Sequence, residues 1–125
     1  MWAKKFTDTE MYQYKGEGNI YYMLLPRDET ESMESCLVIL KKGEEIPEHS
    51  HDQEQIYFII RGEGTFILGG EESKLEPEMV VYIPKSVIHQ VKPTTDELVY
   101  AYVQVWKGGV PEDQKDWKKI YLKEE

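Results

Sequence analysis

Apolar residues in this chain come in short β-rich runs, and turn residues stop each of them. The clearest runs cover residues 20–25, 36–40, 56–60, 65–68, 80–83 and 97–106. They are rich in Val, Ile, Tyr and Phe, which fit a pleated, half-buried surface. Helical periodicity is nearly absent. Many short strands at this spacing predict an all-β sandwich or barrel. The punctuation agrees: Arg61-Gly62-Glu63-Gly64 reads as a tight hairpin, Gly69-Gly70 ends a run, Pro77 and Pro84 bracket another, and Lys107-Gly108-Gly109 stops the last.

A chain of 125 residues is one domain by length. A domain of that size buries roughly 65–70% of its unfolded surface and needs no staple. The expected division is an N-terminal arm over 1–19, a β-barrel over 20–107, and a short irregular or helical tail over 108–125. Tyr12, Tyr14, Tyr21 and Tyr22 are too apolar for a free arm, so this segment is expected to pack on the barrel or on a second subunit.

Charge narrows the partners. With 15 basic and 24 acidic residues the formal net charge is −9, which argues against a phosphate-backbone binder and against an anionic membrane surface. No apolar run approaches the ~20 residues of a membrane span. Residues 1–10 lack the apolar stretch of a signal peptide, so a cytoplasmic location is expected. A single cysteine, Cys36, leaves no internal disulfide and is expected to pack as a small hydrophobe.

The three histidines form the chemical signal. His49 and His51 flank Ser50 just ahead of the run at 56–60, and on a strand residues i and i+2 share a face. Both imidazoles can therefore reach one metal ion. Gln55 lies four residues on, at even spacing if one strand runs through, and His89 comes from a separate segment after Pro84.

These residues fall into a larger pattern. Gly43, five residues, His49-Ser50-His51, three residues, Gln55, six residues and Gly62 match the first cupin motif, with Gln55 in the glutamate place. Pro84 and His89 match the second motif, while Glu78, Ser86 and Pro93 depart from it. The chain thus resembles the small single-domain cupins over residues 43–93. That resemblance implies a cupin-type double-stranded β-helix, or jelly-roll barrel. It implies metal ligands at His49, His51, Gln55 and His89, and one divalent transition metal per chain (Zn, Mn, Ni or Fe). It also implies a homodimer. Glu78 and Ser86 stand where the motif has glycine, a strained choice if φ is positive there. Glu54 is a rival to Gln55, since one residue of slip would turn it inward.

Glutamine in place of glutamate leaves all four ligands neutral and the centre at about +2, which favours an anionic ligand and Lewis-acid chemistry. The ligand set is similar to that of cupins that ketonise unsaturated uronates and of cupin lyases of sulfonium propionates. The expected activity is isomerase or lyase chemistry on a small anionic carbohydrate-derived or carboxylate substrate. The alternatives are a non-catalytic small-ligand sensor and an Fe(II)-dependent dioxygenase.

Further pocket residues follow from strand alternation. Tyr57 shares the face of Gln55 and is a candidate acid, base or hydrogen-bond donor, followed by Ile59 and Arg61. Along the last run, Tyr100, Tyr102 and Gln104 are expected to line the pocket, with Tyr102 as a second catalytic candidate. Arg27, Arg61, Lys41 and Lys85 are candidate anion clamps, each read first as a solvated surface charge.

Overall fold

The computed structural model describes residues 1–13 and 18–122. Ten strands run in order: β1 (Glu10–Tyr12), β2 (Ile20–Leu25), β3 (Met33–Lys41), β4 (Ile46–His49), β5 (Glu54–Arg61), β6 (Gly64–Leu68), β7 (Glu71–Leu75), β8 (Val80–Ile83), β9 (His89–Pro93) and β10 (Glu97–Val105). One short helix, α1 (Trp117–Tyr121), follows a 3-10 turn at Glu112–Gln114. The strands form a six-stranded sheet, β1-β2-β3-β10-β5-β8, and a four-stranded sheet, β4-β9-β6-β7, both antiparallel. No helix among the described residues is long and apolar enough to cross a membrane.

Alternation decides what enters the core. On β3, Glu34, Cys36, Val38 and Leu40 point inward and are buried. On β10 the inward set is Leu98, Tyr100, Tyr102 and Gln104. Leu75, Ile83 and Val91 complete a core without solvent access. Each fully buried aliphatic of this kind contributes roughly 1.5–3 kcal/mol. Cys36 is buried, and that burial pushes its thiol up to about 12. The packed role expected of it holds.

Arg61-Gly62-Glu63-Gly64 is not a hairpin, because β5 pairs with β10 and β8 while β6 pairs with β9 and β7. The segment carries the chain from the six-stranded sheet to the four-stranded one. Gly62 sits at φ +82, and a Cβ there would lie 1.8 Å from the Glu97 carbonyl oxygen. Its glycine is required by close approach, not by a two-residue turn. The tight hairpin is instead at Gly69-Gly70, which joins β6 to β7 with φ of +54 and +88. That pair of positive values is what a primed turn needs.

Arg61 also departs from its expected inward face. Side-chain alternation puts it with Gln55, but β5 has an irregularity opposite Val99/Tyr100, and Arg61 is 65% exposed and bonded to Glu97. Glu78 and Ser86 do occupy left-handed backbone, at φ 74 and 63, without glycine's freedom.

Of the expected arm, β1 adds an edge strand to its own chain's sheet, pairing Tyr12 with Tyr21. Tyr12 is buried, stacked on Tyr21 and on Tyr121. Tyr14 and residues 123–125 lie outside the described residues. Trp117 is 4% exposed and packs on Tyr12, which fastens the tail to the first strands.

The outer face of the six-stranded sheet is also apolar. One cross-strand row reads Tyr22, Leu37, Ala101, Phe58 and Val80. Phe58, Ile60, Val80 and Tyr82 are exposed.

Candidate metal centre

The three histidines come together, with ligand-capable nitrogens all within 4.8 Å of one another. They do not get there by the route that spacing suggested. His49 ends β4 and pairs with His89, the first residue of β9. His51 lies in the link to β5, and Gln55 is on β5 in the other sheet. No single strand runs from His49 to Gln55. The chain instead changes sheets between them, and the four side chains meet in the gap.

The ring orientations are fixed by one repeated device. Nδ1 of His49 lies 2.8 Å from the Pro47 carbonyl, that of His51 2.9 Å from Gln53, and that of His89 2.9 Å from Val87. A carbonyl only accepts, so each Nδ1 donates its hydrogen and each Nε2 keeps its lone pair. This is how metal-bound imidazoles are oriented by their outer neighbours. His89 Nε2 is buried and finds no hydrogen-bond partner among the described residues. His51 Nε2 sits 3.1 Å from Gln55 Oε1. In this tautomer both atoms are acceptors, and two lone pairs at that distance repel unless a cation lies between them. An orphaned nitrogen and a pair of facing acceptors are what a site for a metal ion shows.

The electrostatics favour neutral rings. Burial pulls the His89 imidazole down to about 4, and the neighbouring His49 and His51 add to the effect. Burial also lowers His51, helped by His49. Both are therefore neutral, and able to act as ligands, at physiological pH. Glu54, the rival of Gln55, is exposed on the outer face, where the Tyr82 hydroxyl donates to it. Gln55 is buried and turned inward.

His49 and His51 line a cavity of about 560 Å³, a size that suits a small organic molecule. Its walls are aromatic: Tyr21, Tyr57, Tyr100, Tyr102, Trp106 and Tyr121 all line it. The expected face of β10 does point here, and the C-terminal tail adds Gln114, Ile120 and Tyr121. Tyr57 and Tyr100 are stacked at 4.7 Å. Burial pushes the phenols of Tyr57 and Tyr102 well above the ordinary tyrosine range. They stay protonated, so neither is a base.

Of the four basic residues weighed as anion clamps, Lys41 and Lys85 are exposed, and Arg61 is bonded to Glu97 on the surface. Arg27 lines the cavity but is not solvated, being 4% exposed. Its Nε and Nη2 donate to the two oxygens of Glu34 at 2.7 and 3.0 Å, Nη1 donates to the Gln114 carbonyl, and Nη2 also reaches the Tyr121 hydroxyl. Trp106 and Tyr121 cover its faces at 4.8 and 4.9 Å. Desolvation opposes this charge, but Glu34 and Tyr121 outweigh it and the guanidinium is held above its usual range. Glu34, fully buried on β3, escaped notice in the sequence. The signal was its place in the alternating inward set with Cys36, Val38 and Leu40.

Comparisons with known proteins agree with this architecture. A family model of the cupin domain matches residues 36–105. An uncharacterized protein of Aquifex aeolicus (strain VF5) is 26% identical over 94 residues, 74% of this chain and 77% of its own. Among solved structures, a predicted oxalate decarboxylase from Thermotoga maritima superposes with a TM-score of 0.74 at 18% identity, over 83% of this chain and 98% of that one. KdgF from Halomonas sp. superposes at 0.72 and 16% identity, over 86% and 94%. The likeness to these two structures shows a shared fold. With a matched domain that spans more than half of its residues, two antiparallel sheets and three convergent histidines, the chain belongs to the cupin family.

Proposed function

We propose that this cupin is a metal-dependent enzyme that isomerises, or eliminates from, a small organic acid bound in the aromatic cavity. One observation carries the reading. Three imidazole nitrogens lie close together, with the Gln55 carbonyl oxygen facing that of His51, beside a cavity whose one charged lining side chain among the described residues, Arg27, is paired with Glu34. His49, His51, Gln55 and His89 would hold one divalent transition ion per chain, whether Zn, Mn, Ni or Fe. When bound, such an ion supplies Lewis acidity toward an oxygen of the substrate.

The chain's own residues do the rest. Arg27 is saturated by Glu34, so it does not clamp a second anionic group. The substrate therefore carries one metal-directed carboxylate or enolate oxygen, and its remaining body is neutral. Tyr21, Tyr100 and Trp106 pack on that body and exclude water. Tyr57 and Tyr102 remain protonated and hold a proton toward the substrate as donors. The reading includes a homodimer formed through the apolar outer face of the six-stranded sheet.

The test is elemental analysis of protein purified without chelators, beside His51→Ala. About one metal per chain, lost in the variant, is expected. A screen of uronates and keto acids in D₂O then looks for substrate-dependent isomerisation or elimination. Metal-free protein after reloading would refute the reading, and stoichiometric oxygen uptake would replace it with dioxygenase chemistry.

A further inference from the structure

A row of polar side chains crosses the inner face of the six-stranded sheet behind the metal centre. The register sets Glu34 of β3 opposite Gln104 of β10, and Gln104 opposite Gln55 of β5. All three are buried. Gln104 Nε2 donates to Glu34 Oε2 at 2.6 Å, and Gln55 Nε2 donates to Gln104 Oε1 at 3.1 Å. Beyond Gln55, its Oε1 faces His51 Nε2.

We infer that Glu34 and Gln104 are positioning residues that set which end of the Gln55 amide faces the metal. Donor polarity dictates this, given the reading of Gln55 as a ligand. Glu34 is held in two-point contact by Arg27 and accepts from Tyr121 at 2.8 Å, so it presents an acceptor to β10. An amide has one donating and one accepting end. Gln104 must turn its NH₂ to Glu34, and its carbonyl is left for Gln55. Gln55 must then turn its own NH₂ to Gln104, and its carbonyl is left for the metal. A flipped Gln55 would place two carbonyl oxygens face to face and offer the metal an amide nitrogen with no available lone pair. The fixed charge of Glu34 thus reaches the centre as a direction, relayed through two neutral amides. A glutamate ligand, with two equivalent oxygens, needs no such relay.

That difference supplies the test. Glu34→Gln is the obvious variant, but it strands the Arg27 charge and is liable to unfold. Gln104→Met keeps the Arg27–Glu34 pair and similar volume. Co(II) affinity is measured by visible absorption and chelator competition in wild type, Gln104→Met, Gln55→Glu and the double variant, with thermal melts of the metal-free forms to confirm folding. Gln104→Met should weaken Co(II) binding about 10-fold or more, with altered d–d bands, the range seen for outer-sphere partners. In the Gln55→Glu background the same change should cost nothing or tighten binding. An equal loss in both backgrounds, or none in either, overturns the relay while leaving Gln55 as a ligand. No Co(II) uptake by the wild type overturns the relay through failure of the metal-centre reading itself.

Discussion

Acidifying the metal-free protein should reveal His89 as a destabilising proton acceptor. Its ring is 1% exposed, and its pKa is about 4 in the folded chain against 6.5 unfolded. Between those values the unfolded state binds the proton and the folded state does not, so stability falls as pH falls. From pH 7 to pH 5 the loss from this residue is about 2 kcal/mol, and it levels off near 3 kcal/mol below pH 4. For a chain of this length about 2 kcal/mol is roughly 8 °C in Tm. His51 shifts in the same direction. Acid also relieves repulsion in a chain of net charge −9, which works the other way. The informative quantity is therefore the difference between wild type and His89→Gln, measured by urea unfolding at pH 7, 6 and 5. The wild type should lose about 2 kcal/mol more than the variant over that range. Parallel curves would refute the buried, neutral state of His89 and the argument built on it.

Other predictions follow from separate features. Gly62→Ala should cost 3 kcal/mol or more, because its Cβ would meet the Glu97 carbonyl. Gly43→Ala, at φ +93 with nothing within 4 Å, should cost only about 1 kcal/mol. Both are read by chemical denaturation. Arg27→Met leaves Glu34 buried and uncompensated, for a loss of about 3–5 kcal/mol, and Arg27→Met/Glu34→Leu should recover at least half of it. Light scattering should report a homodimer, and Phe58→Glu, at the exposed end of the apolar row, should yield a folded monomer.

The all-β class was legible because its signals are local, whereas His89, 38 residues beyond His51, was tied to the other histidines only by the two-part motif pattern. Strand runs are short and cleanly stopped, and His49, His51 and Gln55 sit within seven residues. The hairpin at 61–64 was misread because a glycine needed for close approach looks the same in sequence as one needed for a turn. The Arg27–Glu34 pair was invisible for another reason. A charge in a chain with 31% charged residues reads as solvated unless its strand phase is followed, and Glu34 is in phase with Val38 and Leu40. Tyr121, distant in sequence and on a five-residue helix, carries no local signal that ties it to the cavity.

The proposed centre would draw its side chains from both sheets: His49 and His89 from the four-stranded one, Gln55 from the six-stranded one, His51 from the link between them. An ion held by all four is thus a clasp across the sandwich as well as a chemical group. Of the strands it engages, β4 has the weakest hold, an edge strand paired with β9 alone and with broken register between Ile46 and His49. Chelation should therefore be felt mechanically before it is felt globally. Amide hydrogen exchange should quicken first along Ile46–His49 and the start of β9, while β3 and β10 at the centre of the larger sheet keep their protection.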